Sequence, residues 1–325
     1  MRSRALAVGL AVGLAVAACG GGDDNPKGAT PSTTEPAPSG LVAQVASYDL
    51  VAGRGQRVIV GLQSDKGAKL VSFGAVELAF GYLGTKEAPE DPALAGPVVT
   101  ATYMPVPGQR TTAGEGPRFV DPSEGIGVYR AENVRFDRAG SWQVTATAVV
   151  GGKTERATGA FSVRDTAQVP GPGEQAPRTV NLLPGAPGVP PKAVDSRAQP
   201  DGSVPDPELH DRTVADAIAS GKPTMVVIST PVYCESRFCG PVTDSVQALA
   251  RQYGGRIGFV HIEVWRDFDK SQINKAAAEW IYRPGAEDAQ EPWVFVVGGD
   301  GIITDRFDNV ASDEELADAV ARALA

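Results

Sequence analysis

The sequence predicts two folded domains, an all-β domain followed by an α/β domain. Three observations carry this prediction. Short runs of alternating apolar and polar residues fill the first half of the chain, a proline-rich stretch follows, and helix and strand patterns then alternate. The boundaries we expect are 41–165 for the all-β domain, 166–205 for a proline-rich segment that is either a stiff linker or a strap laid over a domain surface, and 206–325 for the α/β domain. Each domain is near the usual size of about 100 to 150 residues.

Ahead of the all-β domain, residues 1–18 have the pattern of a secretory signal peptide. A basic start, with Arg2 and Arg4, precedes an apolar run that is too short to span a bilayer comfortably. Residues 19–40 are rich in Gly, Asp, Pro, Ser and Thr. They predict a disordered tether, because so little apolar surface cannot offset the entropy of ordering. For the leader that ends at Cys19, two other interpretations are an ordinary secretory signal in which Cys19 is incidental and an anchor helix that is not cleaved.

The end of this leader, Val16-Ala17-Ala18-Cys19, resembles the lipobox of bacterial lipoproteins. The resemblance implies cleavage before Cys19 and a lipid on that cysteine. The expected location is therefore extracytoplasmic, anchored to the cell membrane through that lipid. Cleavage removes two arginines and no acidic residue, so the formal net charge goes from -9 to -11. Such an acidic protein is not expected to bind nucleic acid.

The all-β domain is predicted from short apolar runs broken by Gly, Pro and Asp. The clearest strand is 141–150, in which apolar residues from Trp142 onward alternate with polar ones, as a half-buried strand requires. Gly151 and Gly152 then predict a two-residue hairpin into the strand 154–163. The other predicted strands are 57–62, 75–80, 98–103 and 127–131.

The segment 137–142 resembles the corner before the penultimate strand of immunoglobulin-like sandwiches, with Trp142 where that corner often has tyrosine. We therefore expect an immunoglobulin-like β-sandwich. The domain has no cysteine, so packing alone must hold it. Its scattered charges form no catalytic cluster, and Met104 is its only methionine, which disfavours a copper site. A spacer, or a surface for a partner that the sequence does not name, is expected.

The α/β domain alternates helices and strands. Thr213 is placed to cap a short helix, and the apolar run 224–229 predicts a strand covered on both faces. Residues 257–264 predict a second strand, and Ser312 to Glu315 form a capping box for the last helix. The remaining predictions are a helix after the cysteine pair, a helix from Ser271 to Trp280, and strands over 292–297 and 302–307.

This order of elements resembles the thioredoxin fold over residues 209–325. Cys234 and Cys239 follow a buried strand, and Glu291-Pro292 precedes another strand, where the family keeps a cis-proline facing the active-site sulfurs. The resemblance implies thiol–disulfide exchange with exported protein thiols or disulfides. Cys234 would be the attacking or attacked sulfur, Cys239 would resolve, and Pro292 would shape the substrate groove. No cofactor is expected.

The spacing of the pair departs from the family's Cys-x-x-Cys, because four residues separate Cys234 from Cys239. Five residues of a regular helix turn about 140°, which points two side chains apart. A disulfide therefore requires a loop between the cysteines. Gly240 and Pro241 then mark the true helix start, where amide N–H groups favour a thiolate.

A second departure concerns the buried acid of thioredoxins, because Ile228 stands in its place. Glu291, beside the proline, is the candidate substitute. Three interpretations of the cysteine pair stay open. They are an exchangeable redox pair, a structural disulfide in a non-enzymatic envelope lipoprotein that serves as a binding surface, and a metal site.

Two related activities are disfavoured by spacing. Thioredoxin-fold peroxidases need a threonine three residues before the reactive cysteine, and Pro231 occupies that place. Thioredoxin-like copper-insertion proteins use Cys-x-x-x-Cys with a distal histidine, so copper handling is a minor alternative. His261 lies in an apolar strand, where a packed residue is more common than a ligand, and His210 is expected on the surface before a helix. No metal ligand is predicted.

Overall fold

The computed structural model describes residues 40–64, 69–109, 115–282 and 290–325. The predicted signal peptide, Cys19 and all of the predicted tether except Gly40 lie outside the described residues. The described part is rich in β-structure, with one large sheet and a smaller, separate sheet accompanied by helices. At this level the predicted succession of a β-rich region and a mixed region is confirmed.

Among the described residues, nine strands form the large sheet, in the order β1-β9-β8-β4-β5-β7-β2-β3-β6 when they are numbered along the chain. The first strand pairs with the second in antiparallel fashion and with the ninth in parallel, so the ladder of strands closes on itself. The strands are β1 (Leu41–Val45), β2 (Gly55–Ser64), β3 (Leu70–Ser72), β4 (Ala75–Gly84), β5 (Pro89–Pro105), β6 (Arg118–Val120), β7 (Gly127–Arg135), β8 (Gly140–Val150) and β9 (Lys153–Val163).

The core of this β-region follows from the alternation along β8. Trp142, Val144 and Ala146 are buried, while the residues between them are more exposed. The indole N–H of Trp142 donates a hydrogen bond to the carbonyl oxygen of Arg138 at 3.2 Å, which satisfies its polar atom inside the core. The predicted hairpin at Gly151 is confirmed, since β8 and β9 pair up to the ends of the turn.

Four strands form the smaller sheet, in the order β11-β10-β14-β15. They are β10 (Thr224–Ser229), β11 (Gly258–Glu263), β14 (Trp293–Val297) and β15 (Ile303–Asp308); β10 and β11 are parallel and the other neighbours antiparallel. A short hairpin follows β11, formed by β12 (Trp265–Asp267) and β13 (Gln272–Ile273). The helices are α1 (Val214–Ala219), α2 (Cys239–Tyr253), α3 (Lys275–Ile281) and α4 (Asp313–Ala323).

Helices cover both faces of this sheet. Residues of α1 and α3 pack on one face, and residues of α2 and α4 pack on the other. Every residue of β10 is buried as a result, which confirms the predicted strand covered on both faces.

The helix starts follow local side-chain chemistry. Capping boxes form at Thr213 with Asp216 and at Ser312 with Glu315, and both N-caps are as predicted. The helix predicted from Ser271 instead begins at Lys275. Ser271 has a φ of 52°, outside the helical region, and the side chain of Asn274 accepts the capping hydrogen bond.

Residues 166–205, predicted as a linker, run over the α/β region as a strap. Val169 and Ala176 belong to the same buried cluster as α1 and α3. Gln175 forms an isolated β-bridge with Ile302, just before β15. The proline-rich segment therefore packs against the α/β region. This agrees with the interpretation of its composition as a strap over a domain surface.

The β-region and the α/β region meet at a junction with an apolar centre. Ile59, Met104 and Val128 pack with Val310 in one buried cluster, and Phe238 packs against it. The flanks of the junction are polar. They include ion pairs of Arg57 with Asp308 and Glu315, and of Arg306 with Asp49.

Candidate active site at the disulfide

Cys234 and Cys239 form a disulfide between the loop after β10 and the first turn of α2. Their Cα atoms are 6.0 Å apart. The residues between them are outside the helix, and Arg237 has a φ of 67°, a left-handed conformation that reverses the chain within the loop. The prediction that the wide spacing requires a loop is confirmed.

The two sulfur-bearing residues differ in exposure. Cys239 is 0 % exposed, whereas Cys234 is partly exposed. The hydroxyl of Ser236 lies 3.3 Å from Cys234 Sγ. Cys234 is therefore the more accessible of the two cysteines to a second molecule.

The first turn of α2 supplies the polar environment of Cys239. This cysteine is the first helical residue, Gly240 and Pro241 follow it, and Phe238 is an N-cap whose side chain makes no capping hydrogen bond. The first amide groups of a helix lack intrahelical acceptors and carry partial positive charge. They favour a thiolate at Cys239 when the disulfide opens.

Glu291 brings a carboxyl group to the pair. One of its oxygens and the two sulfurs all lie within 4.8 Å of one another. Burial raises the pKa of Glu291 to about 7, with the negative charges of Glu263 and Glu235 adding to the shift. A carboxyl group with this pKa can hold or release a proton beside a sulfur at neutral pH.

Pro292 follows Glu291 across a cis peptide bond, as predicted for this position. The segment is tied to its surroundings on two sides. The hydroxyl of Ser236 donates to the carbonyl oxygen of Glu291 at 3.4 Å, and the hydroxyl of Tyr48 donates to the same oxygen at 2.9 Å. Tyr48 follows β1, so the β-region holds the residue beside the disulfide.

Glu263 is a buried acid near the site that sequence reasoning missed. It ends β11, is 1 % exposed, and accepts hydrogen bonds from the backbone N–H groups of Ser196 at 2.7 Å and Trp265 at 3.2 Å. Burial raises its pKa. The signal in the sequence is a single acid within the predicted strand 257–264, whose other residues are apolar or Gly except for His261. Ile228, at the position where the resemblance leads one to expect a buried acid, is itself fully buried on β10.

A cavity of about 860 Å³ opens beside the disulfide loop, between the β-region and the α/β region. Aromatic side chains dominate one part of it, and Tyr233 and Phe268 stack with their ring centres 4.0 Å apart. The wall combines Glu235, Ser236 and Glu291 from the disulfide site with residues 44–48 and Phe161 of the β-region. The lining also includes Leu50, Ser162, Arg164, Tyr233, Trp265, Phe268, Tyr282, Gln290 and Asn309.

The two histidines lie apart from this cavity's lining and close to each other. His261 is buried on β11, as expected for a packed strand residue. His210 is 3 % exposed, so the expectation of a surface position is wrong. His210 Nε2 faces two buried carboxylates, Asp206 Oδ1 at 3.3 Å and Asp195 Oδ2 at 3.5 Å.

No family model, curated protein or solved structure matches the chain. Within the described residues, none of the helices has the length and apolar character needed to cross a bilayer. The chemistry of the site therefore has to be inferred from its own side chains.

Proposed function

We propose that the chain catalyses thiol–disulfide exchange through Cys234 and Cys239. The observation that carries the proposal is one arrangement: a partly exposed cysteine, Cys234, is bonded to a buried cysteine, Cys239, at a helix N-terminus, and the Glu291 carboxyl group lies within 4.8 Å of both sulfurs. Burial raises the pKa of Glu291 to about 7, and carboxyl groups with such shifted pKa values are concentrated at functional sites.

The first step is attack of a substrate thiolate on Cys234 Sγ. A mixed disulfide forms, the bond between the two protein sulfurs breaks, and Cys239 leaves as a thiolate stabilised by the helix N-terminus. Glu291 in its neutral form donates a proton to that thiolate, directly or through one water. A second substrate thiolate then attacks the mixed disulfide. It releases the oxidised substrate and the Cys234 thiolate, so the protein pair gains the two electrons that the substrate loses.

The reverse direction uses the same groups. The Cys234 thiolate attacks a substrate disulfide, and Glu291 as a carboxylate accepts the proton of Cys239. Cys239 then attacks Cys234 Sγ in the mixed disulfide, which restores the protein disulfide and releases the reduced substrate.

We assign the fold of the α/β region to the thioredoxin-like class and that of the β-region to the immunoglobulin-like class. The four-stranded order with α1 and α3 on one face and α2 and α4 on the other supports the first assignment. The hydrogen bond from Trp142 to Arg138, four residues upstream, supports the second because it resembles the aromatic corner of such sandwiches.

The substrates we propose are exported protein thiols and disulfides. The cavity beside the pair is lined by both aromatic and polar side chains, which suit an extended polypeptide with an apolar side chain. The β-region contributes one wall, so its role includes shaping the groove. The location proposed is extracytoplasmic, with a lipid on Cys19 anchoring the chain, and it is supported by the lipobox-like sequence alone.

Copper handling is the weaker candidate. Among the residues that the structure describes, the two sulfurs share ligand-range distances with Glu291 and with no histidine. A Cys-Cys-His copper site would need an imidazole at that place.

The decisive experiment measures the reduction potential of the Cys234–Cys239 pair and the rate of insulin reduction by dithiothreitol. The full chain with Cys19→Ser keeps only the pair. We expect this chain to accelerate the reaction over dithiothreitol alone, and Cys234→Ser to abolish the acceleration. A potential below about -300 mV together with no turnover would establish a structural disulfide in a non-enzymatic lipoprotein instead.

A further inference from the structure

Four titratable side chains converge at a second place in the α/β region, outside the disulfide site. They are Asp195 of the strap, Asp206 and His210 ahead of α1, and His261 of β11. All four side chains are 0 % exposed. One ligand atom from each lies within 4.8 Å of one from every other. His210 and His261 are the only histidines in the sequence.

The distances between these atoms match the edges of a coordination tetrahedron. His210 Nε2 is 3.3 Å from Asp206 Oδ1, 3.5 Å from Asp195 Oδ2 and 3.3 Å from His261 Nδ1. His261 Nδ1 is 3.4 Å from Asp195 Oδ2. Zinc binds imidazole nitrogen and carboxylate oxygen at about 2.0–2.2 Å, which places tetrahedral ligand atoms about 3.3–3.6 Å apart. Four of the six edges fall in this range.

Hydrogen bonds from a protonated histidine account poorly for the distances in this cluster. Charge-assisted hydrogen bonds from nitrogen to a carboxylate are about 2.7–2.9 Å long, shorter than the distances from His210 Nε2 to either carboxylate. A single N–H at this nitrogen could also serve only one of its three neighbours. Asp206 Oδ1, fully buried at the centre, receives no hydrogen bond at all.

Surrounding groups orient three of the four side chains, those of Asp195, Asp206 and His261, whereas His210 Nδ1 is buried with no hydrogen-bond partner among the described residues. Arg197 Nη2 donates to Asp206 Oδ2 at 2.5 Å and to Asp195 Oδ2 at 2.7 Å, so Oδ1 of Asp206 is left facing the centre. His261 Nε2 lies 2.9 Å from Ser229 Oγ and 3.2 Å from the Ser229 carbonyl oxygen. A hydrogen on Nε2 bonded to that carbonyl fixes the tautomer that leaves a lone pair on Nδ1. Such outer contacts are typical of metal-binding histidines.

The charges of the cluster also favour a cation. Two buried carboxylates face one guanidinium, that of Arg197, which leaves one negative charge uncompensated when both histidines are neutral. Buried carboxylates are normally paired or bound to metal. Imidazole nitrogens select transition metals over calcium and magnesium.

We propose that Asp195, Asp206, His210 and His261 bind one divalent transition-metal ion, and zinc is the ion that the tetrahedral geometry fits. Four protein ligands with no exposed face make a closed, structural site. The ion fastens the strap and the segment before α1 to β11. It thereby holds the strand whose last residue, Glu263, lies near the disulfide.

The test uses the oxidised full chain with Cys19→Ser, so that no free thiol competes for metal. We expect one equivalent of Zn²⁺ in competition with a chromophoric chelator, and Co²⁺ to give the intense visible absorption of a tetrahedral site without thiolate charge-transfer bands. His261→Gln and Asp206→Asn should each weaken binding at least about 100-fold. Asp201→Asn is the matched control, because this strap residue is exposed and its carboxylate bonds only to Ser203 in the described part of the chain.

The outcomes separate this site from the disulfide site. Binding that persists in Cys234→Ser/Cys239→Ser but is lost in Asp206→Asn supports the proposal, whether or not the chain catalyses exchange. Asp206→Asn preserves side-chain volume, so this variant still tests metal binding if His261→Gln fails to fold. Absence of stoichiometric Zn²⁺ and Co²⁺ binding by the oxidised chain would overturn the proposal, as would binding that survives both single variants.

Discussion

Glu291 supplies the carboxyl group beside the sulfurs, from the segment before β14. The expectation that Glu291 substitutes for an acid at the position of Ile228 rests on the resemblance to thioredoxins; the structure places the Glu291 carboxyl group within 4.8 Å of both sulfurs. The second buried acid, Glu263, could not be predicted. Its relation to Glu291 depends on how β11 lies beside β10, which no local pattern contains.

The raised pKa of Glu291 predicts a specific pH dependence of stability. The folded state holds this proton up to about pH 7, whereas an unfolded glutamic acid loses it near pH 4.5. The folded state therefore binds more protons between these values, and the contribution of Glu291 to stability falls as the pH rises through this window.

We expect Glu291→Gln to remove this dependence. The variant should match the parent chain near pH 4.5 and exceed its free energy of unfolding by about 1–3 kcal/mol above pH 7. Urea unfolding of the oxidised chain at pH 5 and pH 8 measures the effect. Glu87→Gln is the matched control, because Glu87 is exposed on the β-region. Equal gains in both variants at pH 8 would contradict the assignment.

Sequence patterns correctly predicted those helices and strands whose position depends on neighbouring residues in the chain. Apolar continuity predicted β10, and capping residues predicted the starts of α1 and α4. The ranges of longer strands were underestimated, since β5 extends from Pro89 to Pro105 where only 98–103 was predicted. Its first half contains prolines and an alanine-rich stretch, and only pairing with β4 makes it a strand.

The close contact between strands β1 and β9 can be tested by adding a single methyl group at Gly159. Gly159 of β9 lies so close to β1 that an added Cβ would be 1.8 Å from the carbonyl oxygen of Ala43. Gly159→Ala should therefore push the strands apart and lower the free energy of unfolding by about 1–3 kcal/mol. Gly116→Ala is the control, since its Cβ would meet nothing within 4 Å. Urea denaturation compares the two, and equal stabilities would show that β1 is loosely held.

At the scale of the molecule, the sequence predicts two domains joined by a linker, and the structure adds extensive contacts between the regions. The strap and the junction depend on residues far apart in the chain, such as the pairing of Arg57 with Glu315. In a sequence, a charged residue that is buried in an ion pair cannot be distinguished from one that is exposed to solvent. Neither the burial of these residues nor their partners could therefore be inferred. The cluster of Asp195, Asp206, His210 and His261 was not predicted, because these residues come from three segments that the fold brings together: the strap, the segment before α1, and β11.

The buried ion pairs of the junction predict that the two regions unfold together. Arg57 is 10 % exposed in its side chain and bonds to Glu315 Oε1 at 2.7 Å and Asp308 Oδ1 at 3.2 Å. Arg57→Met would leave these carboxylates buried with less compensation, although Arg130 still pairs with Glu315 at 2.9 Å. We expect a loss of about 3 kcal/mol in the free energy of unfolding.

The matched control is Lys69→Met, because the ion pair of Lys69 with Asp121 has side chains 50 % and 49 % exposed. An exposed pair contributes less than about 1 kcal/mol. Urea unfolding followed by far-UV circular dichroism measures both variants. If Arg57→Met is no less stable than Lys69→Met, the junction does not couple the regions. A groove built from both of them would then require the substrate itself to hold its walls together.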